Sequence, residues 1–354
     1  MVYENMELQG KRIFITGGAG FFGELLKNEF LNKGAFCVSI DLEKDNNFNK
    51  NLVAYQEDIR SLETLESIFS KYKFNAIFHC AAILAHSVKD KKLLWTSNVD
   101  GTRNIAELAK KYKVPKVVFT SSNCLWAENF NNPVTEDEIP RPIEIYGKSK
   151  REGEKILLEY TKDFHSIIIR CPSIIDSGRV GLLSILFDFI MEGRRVWVID
   201  NGNNIYQFIY AKDLVDACIK CMDYEASDIF NIGSDNVKTF RKVYEYVIKK
   251  ANTNSRVATL PKEPTLSIMR LAYALKLSPL GPYQNKMISK NFIFDTNKIK
   301  KKLKWMPTLT NEEILYKAYE YYRDHLDEIK NRKDVSAHKK PTKMGIIRLL
   351  KWVS

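Results

Sequence analysis

The stretch KRIFITGGAGFFG, residues 11–23, sets a short β-prone apolar run directly against a glycine cluster. An amphipathic segment, GELLKNEFLNKG, follows, and a second β-prone run, AFCVSID, ends at Asp41. Strand, tight turn, helix and strand in that order form the first unit of a parallel α/β sheet. The glycines fit GxGxxG (Gly18, Gly20, Gly23) and GxxGxxG (Gly17, Gly20, Gly23) alike. Glycine is needed where the turn is tight, where backbone approaches a pyrophosphate, and where the helix packs on the strand. The helix N-terminus then faces the phosphate charge.

Asp41 lies eighteen residues after Gly23. A carboxylate at the end of the second strand accepts hydrogen bonds from the adenosine ribose and repels a 2′-phosphate, which favours NAD over NADP. The other role for Asp41 is a cap or turn residue. Asp58, closing VAYQEDI, reaches toward the adenine or else caps the helix SLETLESIF.

Working outward, NAIFHCAA, KVVFTSS and SIIIRCP read as further strands with amphipathic segments between them. This alternation predicts a parallel sheet covered on both faces, with right-handed crossovers. Pro172 ends the sixth strand because proline cannot donate to a ladder. Segments 173–205 and 233–325 read as mainly helical, whereas YQFIYAKDL and DIFNIGS read as returns to the sheet. The expected organisation is a nucleotide-binding domain at 1–172 and 206–232, a substrate domain at 173–205 and 233–325, and a tail at 326–354. There is no internal repeat, and no apolar run approaches the roughly 20 residues of a membrane span.

A chain of 354 residues with 45% apolar and 28% charged content is long enough for a full core and excludes a disordered or collagen-like protein. Six scattered cysteines without a secretory signal imply reduced thiols and a cytoplasmic setting. Cys218 and Cys221 form a CxxC inside the apolar pattern LVDACIKCM with no second ligand pair nearby, so they read as core and no metal site is expected. The net charge is +12, and from Val335 onward there are five Lys/Arg and no acid. No nucleic-acid motif accompanies the Lys298–Lys304 cluster, which reads as a solvated face, so no nucleic-acid partner is expected.

In YGKSK, Tyr146 and Lys150 are four apart on a helix and share a face. A lysine charge beside a phenol stabilises the phenolate and draws its pKa down from about 10 toward the range useful for acid–base chemistry. Ser122, at the end of the fifth strand, is the candidate hydroxyl for orienting a substrate oxygen.

These residues, with TGGAGFFG (16–23), Asp58-Ile59, HCAA (79–82), NVDGT (98–102), FTSS (119–122), RCP (170–172), YQFIYAKDL (206–214) and FNIGS (230–234), resemble the extended short-chain dehydrogenase/reductases. The likeness is to the NAD-dependent epimerase/dehydratase group, which includes nucleotide-sugar enzymes, and it spans residues 10–310. It implies a Rossmann-type doubly wound α/β fold with a smaller, mainly helical substrate domain. It implies Tyr146 as general acid/base, Lys150 lowering its pKa and contacting the nicotinamide ribose, and Ser122 orienting the substrate oxygen. Gly17, Gly20, Phe21, Phe22, Gly23, Asp41, Asp58, Ile59, Ala81, Ala82 and Asn98 would join Tyr146 and Lys150 around NAD. Asn98 by itself would equally serve as a helix cap. A homodimer through the helices around 91–112 and 146–160 is a further implication.

Departures from the family pattern narrow the chemistry. Ser122-Asn123-Cys124 stands where many dehydratases carry Thr-Asp-Glu, which argues against classical 4,6-dehydration, and Trp126 replaces a pocket tyrosine. Ile205 and Tyr206 occupy the region where many nucleotide-sugar enzymes have an arginine, so a substrate pyrophosphate needs another cation; Arg194, Arg195, Arg256 and Arg270 are available, each also readable as a surface residue. The segment LPKEPTLSIMRLAYALKLSPLGP resembles the substrate region of 3β-hydroxysteroid dehydrogenases and dihydroflavonol reductases, and suits a lipid-facing lid or a helix packed on its domain.

The tail KKPTKMGIIRLLKWVS places Ile346, Leu349, Leu350 and Val353 on one face of a basic amphipathic helix, with Trp352 near its end. Such a helix lies peripherally on an anionic inner membrane face or docks on protein. Three functions remain in view: an NAD-dependent epimerase or oxidoreductase of a nucleotide-activated sugar, a dehydrogenase/reductase of a steroid-like, flavonoid-like or lipid ketone at a membrane, and a non-catalytic NAD sensor or scaffold.

Overall fold

The structure is a computed structural model that describes residues 8–84, 90–332, 341–342 and 344–351. Its strands are β1 (Arg12–Thr16), β2 (Phe36–Asp41), β3 (Leu52–Gln56), β4 (Ala76–His79), β5 (Lys116–Ser122), β6 (His165–Cys171), β7 (Ser173–Ile175), β8 (Val196–Ile199), β9 (Phe208–Tyr210), β10 (Asp228–Asn231) and β11 (Val257–Leu260). The helices are α1 (Phe21–Asn32), α2 (Leu62–Lys71), α3 (Lys91–Trp95), α4 (Gly101–Lys111), α5 (Ile145–Glu159), α6 (Leu183–Met191), α7 (Ala211–Lys220), α8 (Phe240–Ala251), α9 (Lys262–Ala274), α10 (Pro282–Met287), α11 (Asn297–Leu303), α12 (Asn311–Asp324) and α13 (Leu326–Asn331). Short polar side chains open several of them: Ser61 caps α2, Thr239 caps α8, and Thr310 forms a reciprocal box with Glu313 at α12.

Seven strands form one parallel sheet in the order β10-β6-β5-β4-β1-β2-β3. The order reverses between β1 and β4, and the loops leaving those two strands open a crevice at their carboxyl ends. One face is covered by α1 and α7, with Leu26, Phe30, Leu214 and Cys218 packed beside Trp305. The other is covered by α2, α4 and α5 through Leu65, Phe69, Ile105 and Ile156. Each fully buried Leu, Ile or Phe contributes roughly 1.5–3 kcal/mol, so the two layers hold the sheet rigid under the crevice. Cys218 and Cys221 lie in this core, and no metal-binding cluster occurs among the described residues.

Two expectations for the middle of the chain are corrected. Residues 208–210 do not return to the main sheet: β9 pairs with β7 in a separate two-stranded ribbon, and the following residues, from Ala211, are already α7. Segment 173–205 is not mainly helical, because the β-branched runs SII and VWVI form β7 and β8, and β8 pairs with β11. A third core unites α6, α8 and α12 through Phe187, Val247, Leu315 and Tyr319.

The tail docks on this third core in a tighter coil than expected. Gly345–Lys351 is a 3₁₀ turn, in which every third residue aligns, so Met344, Ile347 and Leu350 meet the core while Arg348 and Leu349 face outward. Thr342 N–H donates to Gly181 O, Ile346 N–H donates to Leu277 O, and Lys351 pairs with Glu192 at 2.5 Å. Trp352 and Val353 lie outside the described residues. No described helix is long and apolar enough to cross a membrane. Helix α9 packs lightly: it buries only Ala272, meets α10, and leaves Ile268, Leu271 and the C-capping Leu275 exposed.

Candidate active site

The glycine turn between β1 and α1 is shaped by contacts that no side chain could share. Gly17 has φ +74°, and a Cβ there would lie 2.8 Å from Ala81 N; a Cβ on Gly23 would lie 2.0 Å from Gly17 O. Gly20 precedes Phe21 and Phe22, the first residues of α1, both buried. The missing β-carbons keep the backbone low, so this N-terminus suits a dinucleotide pyrophosphate. Ala81 and Ala82 follow β4 across the crevice, with Ala81 N–H donating to Thr16 Oγ1 at 3.2 Å.

Asp41 fills the turn role considered for it. One carboxylate oxygen accepts from Ala19 and Gly20 N–H at 3.0 and 3.2 Å, and the other accepts from Glu43 N–H at 3.0 Å. It therefore braces the glycine turn from the place where an adenosine ribose would lie. Asp58 is not a helix cap, because Ser61 takes that place; its carboxylate holds Arg60 at 2.6 Å, which draws its pKa down against a partial burial that pushes it up. Ile59 is buried against Gly101 at the start of α4.

Behind the crevice runs a buried polar chain. Thr102 Oγ1 donates to Asn98 O at 2.6 Å, so it accepts from His79 Nε2 at 2.8 Å. His79 Nδ1 then accepts from Thr16 Oγ1 at 2.6 Å, and that oxygen takes the Ala81 N–H. One proton per hydroxyl fixes the neutral Nε2–H tautomer. Burial, with Lys150 nearby, pushes the His79 pKa down to about 3. Asn98 is no helix cap: it sits in a π-helical turn, Thr96–Asp100, and binds Ile83 N and O at 2.7 and 3.0 Å and Ser149 Oγ at 3.0 Å. It thereby ties the loop after β4 to α5.

Ser122, Tyr146 and Lys150 converge at the carboxyl end of β5. Ser122 Oγ acts on the Tyr146 phenol, whose pKa it draws down, and accepts from Cys124 N–H at 3.1 Å. Gly147 lets α5 come close, since a Cβ there would meet Cys124 O at 2.2 Å. Lys150 is buried; its Nζ donates to Thr120 O at 2.8 Å and lies 4.5 Å from the Phe119 ring centre. The expected lowering of the Tyr146 pKa by Lys150 is corrected. Burial pushes the phenol well above its ordinary value, with Cys124 and Cys171 adding to the rise, and the groups that draw it down are Ser122 and Arg179. Lys150 Nζ gives one of its three donors to the strand carbonyl, and burial pulls its own pKa down to about 8.

Several residues around the site carry no mark in the local sequence. Asn123 Nδ2 donates to Tyr206 OH at 2.5 Å, and that phenol meets Tyr283 OH at 3.1 Å. Tyr283 arrives from α10, where its N–H donates to Glu144 Oε1 at 2.7 Å. Trp126 is core and not a pocket wall: it is fully buried beside Phe292 and Phe294, with its indole N–H on Ile139 O at 3.1 Å. Below the site, Arg170 makes a two-pronged bond to Glu154 at 3.0 and 2.8 Å, and Ser121 Oγ donates to the same carboxylate at 2.5 Å. Of the arginines weighed for a pyrophosphate, Arg194, Arg256 and Arg270 are exposed and Arg195 lies over the Trp197 ring. Arg179, from the turn after β7, stands above Phe21 instead, 5.7 Å from its ring centre.

A doubly wound parallel sheet with a glycine turn at its switch point and a Ser-Tyr-Lys set beside it defines a nucleotide-dependent oxidoreductase. Residues 13–233 match the NAD dependent epimerase/dehydratase family, and the chain belongs to it. It is 33% identical over 344 residues to the uncharacterised protein y4nG of Sinorhizobium fredii, covering 97% of this chain and 86% of that one. It is 26% identical to the UDP-N-acetyl-alpha-D-glucosaminuronate decarboxylase of Bacillus cytotoxicus, across 89% of this chain and 98% of that one. A crystal structure of UDP-glucose 4-epimerase with UDP-glucose from Thermotoga maritima superimposes with a TM-score of 0.74 at 25% identity, covering 89% of this chain and 99% of that one. The protein is thus an NAD-dependent enzyme of the epimerase/dehydratase family.

Proposed function

We propose that the protein oxidises or epimerises a hydroxyl-bearing carbon of a nucleotide-activated sugar, with Tyr146 as acid/base. The observation that carries this is the convergence of Ser122, Tyr146 and buried Lys150 at the carboxyl end of β5, with Lys150 Nζ held on Thr120 O at 2.8 Å, across the crevice from the glycine turn. NAD, when bound, would supply the hydride acceptor for the substrate carbon, kept reduced in a net oxidation and reoxidised within the turnover in an epimerisation. Ser122 Oγ orients the substrate oxygen, and the Tyr146 phenol exchanges the proton of that oxygen. Buried Lys150 keeps a positive charge under the reacting atoms while anchored on Thr120 O. Gly17, Gly20, Phe21, Phe22 and Gly23 hold the pyrophosphate, with Asp41 on the ribose and Asp58 and Ile59 bordering the adenine. Ala81, Ala82 and Asn98 support the nicotinamide side, and residues 173–205 and 233–325 supply most of the sugar pocket.

The test mixes NAD-loaded protein with a panel of UDP- and dTDP-hexoses and follows both reduced-nicotinamide absorbance and chromatographic conversion of each sugar. A member of the panel is expected to be converted or to raise the absorbance, and Tyr146→Phe to slow either change about 100-fold or more. Wild-type rates in Tyr146→Phe would sink the mechanism, and silence across the panel would sink the substrate class.

A second reading, a lipid-like ketone handled at a membrane, is favoured by α9 and its C-terminus, where exposed Ile268, Leu271 and Leu275 accompany exposed Arg270 and Lys276. Pelleting with phosphatidylglycerol vesicles, lost in Ile268→Asp/Leu271→Asp, supports it; protein that stays in the supernatant refutes it. A homodimer through the outer faces of α3, α4 and α5, where Trp95 and Leu158 are exposed, completes the proposal, and a monomer in sedimentation at micromolar concentration contradicts it.

A further inference from the structure

Helix α1 carries a lysine on the face that it turns into the core. Its inward residues include Phe22, Leu26, Phe30 and Leu31, and Lys27 stands among them with no exposed side-chain surface. An aliphatic residue would fill this place without giving up hydration, whereas a buried ammonium needs a counter-charge and acceptors for its protons. Both are present. Lys27 Nζ donates to Gly18 O at 3.0 Å and pairs with Asp45, itself almost buried, on the loop that follows β2. The same Asp45 oxygen accepts from Ser39 Oγ at 3.2 Å, and the other accepts from Asn47 N–H at 3.0 Å. Asn47 Nδ2 then donates to Asn28 Oδ1 at 2.6 Å, so two consecutive residues of α1 hold the loop against the helix.

The peptide between Gly18 and Ala19 is gripped by two opposite charges. Lys27 takes its carbonyl oxygen, and Asp41 Oδ2 takes its N–H at 3.0 Å together with Gly20 N–H at 3.2 Å. A positive charge on the carbonyl oxygen polarises the peptide and strengthens the N–H as a donor, so the ammonium steadies the Asp41 carboxylate through the turn without touching it. Asp41 Oδ2 is engaged twice in this way, while Oδ1, which accepts from Glu43 N–H, keeps lone-pair capacity for a ribose hydroxyl.

We propose that Lys27 is a cofactor-positioning residue: with Asp45 it latches the loop after β2 onto α1 and, through the Gly18–Ala19 peptide, sets the carboxylate of Asp41 for the adenosine ribose. The inference rests on the ribose role given to Asp41 above. It adds that the preference for NAD over NADP depends on a buried cation that the cofactor does not touch.

Calorimetry on cofactor-stripped protein gives NAD and NADP affinities for wild type, Lys27→Met, Lys27→Met/Asp45→Leu and Asp41→Asn, and thermal midpoints are taken on the same ligand-free samples. Lys27→Met is expected to lower NAD affinity about 10-fold and to narrow the preference for NAD, at a lowered midpoint because Asp45 is left without its counter-charge. In Lys27→Met/Asp45→Leu the midpoint is expected to return to the wild-type value or above, while NAD affinity and preference stay low. Recovery of affinity and preference along with the midpoint marks a merely structural pair and overturns the proposal, as do wild-type affinities in Lys27→Met. The Asp41→Asn arm separates the two readings: an unchanged NAD preference there sinks the ribose role itself, whereas a preference lost there but kept in Lys27→Met/Asp45→Leu sinks the role of Lys27 alone.

Discussion

Acidification should weaken this protein through one buried imidazole. His79 is held neutral between Thr16 and Thr102, with its pKa lowered from 6.5 to about 3. Because the folded value lies below the unfolded one, the folded state binds fewer protons throughout that window. Its contribution is fully present above the unfolded value and is lost as pH falls below 6.5 toward about 3. The slope is about 1.4 kcal/mol per pH unit, so stability should drop about 2 kcal/mol between pH ~8 and pH ~5 from this residue alone. Other groups titrate there too, and His79→Gln isolates the effect. Urea unfolding of both proteins across this range should show the gap between them narrowing by about 2 kcal/mol as pH falls. A gap independent of pH would refute the assigned tautomer and the neutral state of the chain Thr16-His79-Thr102-Asn98.

Asp41→Asn keeps an acceptor for the amides of Ala19 and Gly20 but removes the charge, so fluorescence titration should show discrimination against NADP falling about 10-fold, with NAD binding weakened less than in Asp41→Ala. Arg170→Met strands the Glu154 carboxylate in the core and should cost about 3–5 kcal/mol in denaturant titrations, most of it regained when Glu154→Leu is added. Gly23→Ala puts a methyl 2.0 Å from Gly17 O, so calorimetric NAD binding should be lost while circular dichroism still reports the sheet; wild-type NAD affinity would contradict the close-approach argument.

The parts of the fold readable from sequence were those set by local rules. The β1–α1–β2 unit is written in consecutive residues, because a turn that admits no Cβ must be glycine and the apolar periods on either side differ. The helix spacing of Tyr146 and Lys150 likewise put both at one site, but spacing said nothing of where the ammonium would point, and Thr120 O claimed it. Phe208–Tyr210 has the composition of a sheet strand; its pairing with β7 is decided by which edge is within reach after Pro172, a tertiary matter. Arg179 and Tyr283 carry no local signature, since what distinguishes them is who stands opposite. The apolar α9 run suited a lid or a packed helix alike, because apolar composition does not say which neighbours will cover it, and here the surrounding elements leave Ile268 and Leu271 exposed.

The sheet order has a consequence for how the chain is made. On the ribosome, β6 emerges with its run of isoleucines, yet its outer neighbour β10 is not synthesised until the chain has left at Cys171, built β7 through α7, and come back at Asp228. Until then the nascent polypeptide carries His165–Cys171 as a bare, sticky edge, the kind of segment that recruits other chains into aggregates. A fragment stopped just short of Asp228 is therefore expected to be insoluble although it contains the whole glycine turn and Tyr146, whereas extension through Asn231 closes that edge.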